Sequence, residues 1–380
     1  MESKSILDAI FLNRCCDLGH LAGPGSSPNP KVGAVLVYEG RIIGEGYHKL
    51  AGHAHAEVNC LASVKEADKH LIPDATIYIS LEPCCFYGRT PACTDLILKS
   101  GIKKVVIGQL DQTPEVSGQG VDILRRAGIQ VEMYPDHSGC RELAAERQVY
   151  VSEDRPYIIL KWAQSADGFL APKTGEKYWI TSSLSRKLTH RWRAQTKAIL
   201  VGAGTVLADD PSLTTRFYSG ADPIRVIFDP KNRCRGNERV FINNSTATTL
   251  WFKSEASSSE FSSSREVTDP APAGLAGAGG QLYKNVKTTL EITLPQKEEE
   301  WLPYILSELH QREINQLTVE GGAQTLNLFL KYHLWDEIRR LTGTEVRFGQ
   351  GLAAPEPPPE SRLISTTDIA KDQIDFFEKI

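Results

Sequence analysis

Two short stretches carry most of the decisive side chains: HAHAEVNC at residues 53–60 and EPCCFYGRTPAC at residues 82–93. Three of the eight cysteines fall in the second stretch, so a metal site, a disulfide framework and ordinary core packing are the alternatives. The N-terminus lacks a basic segment followed by an apolar one, so no secretory signal is predicted. We therefore expect a cytoplasmic protein, in which clustered cysteines indicate metal binding or catalysis more than disulfides.

Predicted strands and helices alternate around both stretches. A hairpin at 32–47 is followed by a helix over 55–67, a strand over 75–80, a helix over 91–100, a strand over 104–110, a helix over 121–127 and a strand over 129–133. This alternation predicts a three-layer α/β domain over residues 1–147. A second α/β domain, residues 148–380, starts with the strand YIILKWAQS and contains a Ser-, Ala- and Gly-rich surface excursion over 254–280.

A zinc site is predicted from the order His-x-Glu, Pro-Cys and Cys, which is the pattern of zinc-dependent nucleobase deaminases. One imidazole and two thiolates, from His55, Cys84 and Cys93, would hold the ion and leave a fourth position for water. Zinc lowers the pKa of such a water towards neutrality. Glu57, which does not bind the metal, is then the catalytic residue that moves the proton to the substrate.

Neighbouring residues offer alternatives to this ligand set. His53 is a rival imidazole, but only His55 stands two residues before Glu57. Cys85 adjoins Cys84, and adjacent cysteines are poorly placed to bind one tetrahedral ion, so Cys85 is interpreted as a neighbour. Without metal, the set would be buried cysteines and a surface histidine. Two predicted helix N-termini at the site favour thiolates, which supports the metal interpretation.

The N-terminal domain resembles the deaminase half of the bifunctional riboflavin-biosynthesis deaminase/reductases. The resemblance rests on NPKVG at 29–33, a histidine after GEGY and eight residues between the two cysteine ligands, where many nucleobase deaminases have two. It implies a cytidine-deaminase-like fold with deaminase substrate contacts at Asn29, His48 and Arg89, the last binding a ribose phosphate. Alternatively, Asn29 only forms a turn and Arg89 is only solvated. Cys85-Phe86 departs from the Ser-His usual in the family.

The C-terminal domain resembles the reductase half of the same family. The matching segments are YIILKWAQSADGFLA, YWITS, HRWRAQTKAILVGAGTVLADDPSLTTR and TVEGGAQTLNLF, in that order. The resemblance implies a dihydrofolate-reductase-like fold, with a mixed sheet flanked by helices and NADPH bound at strand ends. Glycines at 321–322 end a strand and open a helix, which leaves backbone N–H groups for a pyrophosphate. The GAG turn at 202–204 is a second close-approach turn or an ordinary strand–helix turn.

Two groups of reductase residues follow from the resemblance. The implied cofactor-binding residues are Ala163, Trp179, Thr205, Asp209, Gly322, Ala323, Gln324, Thr325, Leu326, Asn327 and Leu328. The implied substrate-binding residues are Lys177, Arg193, Leu213, Arg216 and Glu320. Alternatives are that Arg193 lies on a solvated helix face, that Trp179 is core and that Lys177, a departure from the family, points away. Asp167 is a substrate-side candidate or a turn residue, and we favour the turn.

The resemblance implies a two-step activity with Zn²⁺ and NADPH as cofactors. The steps would be hydrolytic deamination of 2,5-diamino-6-(5-phosphoribosylamino)pyrimidin-4(3H)-one and NADPH-dependent reduction of its ribosyl side chain to ribityl. We expect a phosphorylated pyrimidine as the small-molecule substrate and a homo-oligomer, either a dimer or a tetramer. A net charge of −4 with no basic block disfavours a nucleic-acid deaminase, and no apolar run predicts a membrane span.

Two further alternatives remain open at this point. A non-catalytic zinc scaffold would have a closed site with four ligands, whereas only three well-placed ligands are visible. If one of the two domains has lost its activity, the departures from the family pattern at Phe86 and Lys177 would mark that loss. Neither departure removes a predicted metal ligand.

Overall fold

The structure is a computed structural model that describes residues 2–88, 90–242, 247–255 and 289–380. Arg89 lies outside the described residues, and so does the predicted surface excursion apart from residues 254 and 255. Within the described ranges, no helix is both long enough and apolar enough to cross a membrane.

The N-terminal half is a five-stranded sheet covered by helices on both faces. Its strands are β1 (Gly33–Tyr38), β2 (Arg41–Tyr47), β3 (Thr76–Leu81), β4 (Lys104–Gln109) and β5 (Gln130–Met133). Its helices are α1 (Glu2–His20), α2 (Ala56–Ala62), α3 (Cys93–Lys99), α4 (Gln119–Arg126) and α5 (Ser138–Ser152). The strand order is β2-β1-β3-β4-β5, with β1 antiparallel to both neighbours and the last three strands parallel.

Alternation along β1 divides the core of this half into two layers. Leu36 packs into a cluster on the face of α2, whereas Val35 and Val37 pack with Phe11 and Cys15 of α1 on the other face. Successive side chains of a strand point to opposite faces, so a strand that is apolar throughout needs cover on both. The predicted three-layer α/β architecture is therefore confirmed.

Helix α2 is shorter than the predicted 55–67 helix. It ends at Ala62 and is followed by 3-10 turns over Glu66–Asp74. The Ser63 hydroxyl donates to the Cys60 carbonyl and accepts a hydrogen bond from the backbone of Glu45 in β2. Serine side chains that bond nearby backbone compete with helix continuation, which accounts for the early end.

The C-terminal half contains a nine-stranded mixed sheet. Its strands, with a separate two-stranded β7–β14 pair, are β6 (Tyr157–Ser165), β7 (Phe169–Pro172), β8 (Ala198–Gly202), β9 (Ile224–Asp229), β10 (Thr249–Lys253), β11 (Thr289–Thr293), β12 (Gln316–Val319), β13 (Glu337–Gly343), β14 (Gly351–Ala353), β15 (Ser361–Ile369) and β16 (Asp372–Lys379). The helices are α6 (Ser183–Gln195), α7 (Ala203–Asp209), α8 (Arg239–Ile242), α9 (Trp301–Gln311) and α10 (Ala323–Lys331). This confirms the expected mixed sheet flanked by helices.

Strand order in this sheet brings two glycine-containing turns together. The order is β11-β10-β9-β8-β12-β6-β13-β16-β15, parallel from β11 to β13 and antiparallel thereafter. Strands β8 and β12 are therefore neighbours, and each runs directly into a helix, α7 or α10. Because the carboxyl ends of parallel strands meet at one sheet edge, this edge is a place for a ligand.

Helix α5 joins the two halves and contacts both. Its Glu146 carboxylate accepts hydrogen bonds of 2.6 Å from Lys31 of the N-terminal half and 2.6 Å from Gln316 of β12. Its Tyr150 ring lies 4.3 Å from the His310 ring of α9. The helix spans residues 147 and 148, so the expected domain boundary falls inside it.

Candidate active sites

Three predicted metal ligands converge where two helices begin. His55 is the N-cap residue of α2, Cys84 follows β3 and Cys93 is the first residue of α3. The His55 Nδ1 atom lies 3.4 Å from the Cys84 sulfur and 3.4 Å from the Cys93 sulfur. Tetrahedral zinc with ordinary Zn–N and Zn–S bonds requires N···S separations of about 3.5 Å, so this donor set fits zinc.

The protonation of the two thiols follows from their contact. A hydrogen bond from Cys93 lowers the pKa of Cys84 to about 4, against the opposing effect of burial. The same contact with Cys84, together with burial, raises the pKa of Cys93. Cys84 is therefore a thiolate at neutral pH, which is the form that binds metal.

Glu57 lies in the first turn of α2 and is 3 % exposed. Burial raises the pKa of its carboxyl group, and the negative charge of Cys84 adds to this effect. A carboxyl group with a raised pKa exchanges protons more readily near neutral pH, as a proton-transfer residue must.

These groups line a cavity of about 340 Å³, which we call the zinc pocket. The predicted site residues in its walls are Asn29, His48, His55, Glu57 and Cys84. Residues of the following loops and of the C-terminal half complete the walls, among them Phe86, Gly88, Thr90, Asp111, Thr113, Val116, Arg147 and Glu313. The structure therefore brings two of the three predicted deaminase substrate residues into one pocket with the metal ligands. The third, Arg89, lies outside the described residues.

Asn29 and His48 form a hydrogen-bonded pair in the zinc pocket. The Asn29 amide nitrogen lies 3.1 Å from His48 Nε2, and His48 Nδ1 lies 3.1 Å from the Ala54 carbonyl. Burial lowers the pKa of His48, so the ring is neutral, donates through Nδ1 and accepts through Nε2. The Asn29 carbonyl oxygen has no partner among the described residues and is available as an acceptor, so Asn29 is more than a turn residue.

The widened loop adds two contacts. Thr90, which sequence reasoning missed, places its hydroxyl 3.4 Å from His55 Nε2, the nitrogen opposite the metal-facing one. Such partners fix the orientation of a metal-binding imidazole. The Cys85 thiol points to the Glu115 carbonyl at 3.6 Å, away from the ligand group.

A second group of possible metal ligands is interpreted as core packing. Cys16, His137 and Cys140 also place ligand atoms within 4.8 Å of one another. However, His137 Nδ1 accepts the Cys140 backbone N–H at 3.2 Å, and its Nε2 faces the Ala9 carbonyl at 3.4 Å. Both ring nitrogens therefore have protein partners, so the imidazole has no lone pair left for a metal.

In the C-terminal half, the two predicted glycine turns touch each other. The Gly322 backbone N–H donates to the Thr205 hydroxyl at 2.8 Å. A Cβ atom at Gly321 would lie 3.3 Å from the Gly202 backbone nitrogen and 2.9 Å from the Thr325 Cβ, so glycine lets this turn approach both the other turn and α10 closely. No side chain caps the N-terminus of α10, which leaves its first N–H groups for a pyrophosphate and fits NADPH.

Arg193 and Glu320 form a buried ion pair at the same edge of the sheet. Arg193 donates from Nε and Nη2 to the two carboxylate oxygens at 3.1 and 2.7 Å, and from Nη1 to the Thr214 carbonyl at 3.3 Å. The two side chains are 14 % and 9 % exposed. The alternative of a solvated helix face for Arg193 is therefore wrong, and its donors already have protein acceptors.

Lys161 on β6 is a functional candidate that sequence reasoning missed. Burial lowers the pKa of its ammonium group, against the opposing effect of the Glu320 charge. A lysine between apolar residues in the strand YIILKWAQS was the available signal, because lysines within largely buried strands are rare unless they are paired or functional.

The remaining predicted reductase residues lie around this edge. Trp179 is 71 % exposed with the Arg186 guanidinium 4.4 Å from its ring, so the core alternative for Trp179 is wrong. Lys177 donates to the Asp209 carbonyl at 3.2 Å, at the end of α7. Arg216 is exposed beside the buried Leu213. Ala163 lies on β6, Thr205 lies on α7, and residues 322–328 form the N-cap and first turns of α10.

Asp167 organises a loop. It accepts hydrogen bonds from the Ser165 hydroxyl and the backbone N–H groups of Phe348 and Gly349. The Ser165 hydrogen bond is the largest cause that lowers its pKa to about 2. This bonding agrees with the interpretation as a turn residue.

Both halves of the chain match known protein families. Residues 7–109 match the model of the cytidine and deoxycytidylate deaminase zinc-binding region, and residues 156–346 match that of the RibD C-terminal domain. The chain is 38 % identical to the riboflavin biosynthesis protein RibD of Aquifex aeolicus, over 98 % of this chain and 99 % of that protein. It is 32 % identical to RibD of Escherichia coli, over 90 % of each.

Solved structures agree with this assignment. The diaminohydroxyphosphoribosylaminopyrimidine deaminase/5-amino-6-(5-phosphoribosylamino)uracil reductase of Thermotoga maritima is 33 % identical and has a TM-score of 0.81, covering 98 % of this chain and 99 % of that chain. RibD of Acinetobacter baumannii is 29 % identical with a TM-score of 0.76, at the same coverage. The zinc ligand group lies in the first matched region and the glycine turns lie in the second. The chain therefore belongs to the RibD family of bifunctional riboflavin-biosynthesis enzymes, with a zinc-dependent deaminase and an NADPH-dependent reductase in one chain.

Proposed function

We propose that residues 1–147 deaminate 2,5-diamino-6-(5-phosphoribosylamino)pyrimidin-4(3H)-one. Residues 148–380 then reduce the ribosyl side chain of the product to ribityl. The observation that carries this proposal is the zinc pocket, where a three-ligand metal group and the buried Glu57 share one cavity with the Asn29–His48 pair. A closed scaffold site would use four ligands, whereas three leave room for reacting water.

In the deaminase step, the chain supplies proton transfer and orientation. Zinc held by His55, Cys84 and Cys93 would provide the Lewis acidity that makes water nucleophilic at neutral pH. Glu57 accepts a proton from the attacking water and passes it to the ring nitrogen. It then moves the remaining proton of the new hydroxyl group to the amino group, which departs as ammonia while the carbonyl forms. Asn29 fixes the pyrimidine through its free carbonyl oxygen.

In the reductase step, the chain supplies binding and a fixed charge. NADPH would provide the hydride, and the N–H groups at the start of α10 would hold its pyrophosphate. Burial would raise the pKa of Glu320, but Arg193 and Lys161 hold it at about 2, so the carboxylate stays ionised. Glu320 therefore accepts hydrogen bonds from the substrate. Arg216 is exposed and, among the described residues, its side chain is bonded to Thr214 alone, so it is better placed than Arg193 to contact the phosphate.

Assembly and location belong to the same proposal. Exposed Ile6, Leu7 and Ile10 on one face of α1 support a homo-oligomer, a dimer or a tetramer. Light scattering on the eluted protein would show a monomer if this is wrong. A cytoplasmic location is proposed from the sequence alone and would be contradicted by recovery of the protein outside the cytoplasmic fraction.

The function is tested with purified protein and the diaminopyrimidine ribotide. Ammonia release is expected without NADPH, and loss of NADPH absorbance is expected once NADPH is added. Glu57→Gln should lower deamination by about a hundredfold or more while it keeps zinc and still reduces the deaminated product. If the zinc-loaded wild type released no ammonia, the deaminase assignment would be wrong. Full deamination by Glu57→Gln would refute the role of Glu57.

A further inference from the structure

Arg147 is a positively charged side chain on the wall of the zinc pocket that has no role in the steps above. It lies on α5, outside the region that matches the deaminase family model. Among the described lining residues, it is the only lysine or arginine. An anionic ligand that enters this pocket is therefore attracted to Arg147 more than to the other described side chains that line it.

The contacts of Arg147 hold it in place without neutralising it. Its Nη2 donates to the Thr113 hydroxyl at 2.7 Å. That hydroxyl donates in turn to Asp111 at 2.6 Å, and the Thr113 backbone N–H donates to the same carboxylate oxygen at 2.8 Å. Hydrogen bonds in series fix the direction of the guanidinium, so the side chain is pre-organised.

Part of the guanidinium lacks a partner. Its Nε is buried and has no hydrogen-bond acceptor among the described residues, and none of their carboxylates lies within ion-pair distance of Arg147. A buried donor without an acceptor costs free energy, and a charge without a counterion costs more. Such a cost is typical of a site that is completed by a ligand.

The helix that carries Arg147 is anchored on both sides. Glu146, the preceding residue, holds Lys31 and Gln316, and Tyr150 donates to the His310 carbonyl at 3.1 Å. A further contact joins the two halves beside this helix, where the Ser27 hydroxyl donates to the Glu313 carbonyl at 2.8 Å. The pocket is therefore completed at the junction of the two halves by rigid elements, as a specificity contact requires.

We propose that Arg147 is a specificity-determining residue of the deaminase, which binds the phosphate group of the substrate. This inference rests on the proposed function, because the phosphate is the anionic group of the proposed substrate. A guanidinium offers a planar set of donors that matches phosphate oxygens, and a charge-assisted bond of this kind is stronger than a neutral one.

Steady-state deamination by Arg147→Met and Arg147→Lys tests the proposal on two substrates, the ribotide and its dephosphorylated riboside. Arg147→Met should raise the KM for the ribotide by about ten- to a hundredfold with kcat within about threefold, and should leave the KM for the riboside unchanged. Arg147→Lys keeps the charge and should recover part of the ribotide affinity. Arg141→Met, exposed on the same helix, is the matched control and should match the wild type on both substrates.

Zinc content and reduction of the deaminated product should be unchanged in each variant, which separates this effect from misfolding. An equal rise in KM on both substrates, a fall in kcat alone, or an unchanged KM for the ribotide would overturn the proposal.

If the wild type released no ammonia from the ribotide, the proposed function would fail. In that case, calorimetric titration with ribose 5-phosphate would test the Arg147 proposal separately. The titration would use an Arg216→Met background, which weakens phosphate binding at the reductase site. Binding lost in Arg147→Met supports the inference, and unchanged or absent binding overturns it.

Discussion

Among single residues, the Arg193–Glu320 pair has the clearest energetic consequence. Burial opposes the charge of Glu320, but Arg193 and Lys161 lower the pKa of this carboxyl group from the ordinary 4.5 to about 2. Because the pKa is lower in the folded state, the carboxylate stabilises the fold above about pH 4.5. This stabilisation is lost as the pH falls towards 2.

Arg193→Met should lower the free energy of unfolding by about 3–5 kcal/mol at neutral pH, because it removes the bidentate partner of the buried Glu320 carboxylate. The penalty should shrink as the pH falls, because burial raises the pKa of Glu320 once Arg193 is gone and the variant takes up a proton at a higher pH than the wild type does. Tryptophan fluorescence in urea is a suitable probe, since all six tryptophans lie between residues 162 and 335.

The matched control for this pair is Lys371→Met, which breaks an exposed ion pair with Glu345 in the same half. It should change stability by no more than about 1 kcal/mol. A double variant, Arg193→Met with Glu320→Gln, should regain part of the loss, since the buried carboxylate is removed together with its guanidinium partner. Equal effects of Arg193→Met and Lys371→Met would contradict the argument.

Some site residues could be predicted from the sequence and others could not, for a physical reason. His55, Cys84 and Cys93 lie at the ends of a strand and two helices in a fixed order, so local pattern and residue type were sufficient. Lys161 and Arg147 belong to no local sequence motif, and the residues they contact or lie near in the structure come from distant segments of the chain. Their roles depend on strand order and on the packing of α5, which no local pattern records.

Two groups of cysteine and histidine lie at helix ends, and only one should bind metal. The group at α2 and α3 presents three available ligand atoms, whereas the imidazole between α1 and α5 is already bonded at both nitrogens. We expect about one zinc ion per chain by elemental analysis. Cys84→Ala should reduce this value to near zero, and Cys140→Ala should leave it unchanged. Two zinc ions per chain, or zinc loss in Cys140→Ala, would show that the second group binds metal.

The contact between the two glycine turns leads to a prediction for cofactor binding. Gly321→Ala places a Cβ 2.9 Å from the Thr325 Cβ, which the α10 backbone holds in place, so the turn and helix must separate. The KM for NADPH should rise by roughly ten- to a hundredfold while deamination is unchanged. Gly204→Ala is the control, because its Cβ would meet only the Arg233 side chain at 3.6 Å. A similar KM in both variants would show that close approach at Gly321 is not required.

Elements with a clear apolar pattern were predicted nearly to their ends, and elements without one were missed. The hairpin β1–β2 and the strand β6 agree with the predicted segments. Strand β15 was not predicted, because most of its side chains are exposed and leave no alternating pattern. Its pairing with β16 is set by tertiary contacts at the edge of the large sheet.

At the scale of the whole molecule, α5 couples two folds that carry different chemistry. It packs on α1 and β4 of the first half, and its Glu146 and Tyr150 contact β12 and α9 of the second. One lining residue of the zinc pocket, Arg147, is carried by this helix, and another, Glu313, follows α9. The deaminase pocket therefore depends on the presence of the reductase half, although the two chemical steps use separate residues.

Glu146 is the residue on which this junction should depend most. Its carboxylate is 15 % exposed and accepts from Lys31 and Gln316 at once. Glu146→Ala should lower the free energy of unfolding by about 1–3 kcal/mol, because two buried donors lose their acceptor. Circular dichroism reports both halves and tryptophan fluorescence reports only the second, so a coupled junction should shift the two urea transitions together.

Two variants on the same helix complete this test. Glu142→Ala removes an exposed carboxylate one turn earlier and should change stability by no more than about 0.5 kcal/mol. Glu146→Gln keeps one acceptor oxygen for Lys31 and should recover part of the loss. If Glu146→Ala behaved like Glu142→Ala, or shifted only the circular dichroism transition, α5 would be a passive linker between two independent folds.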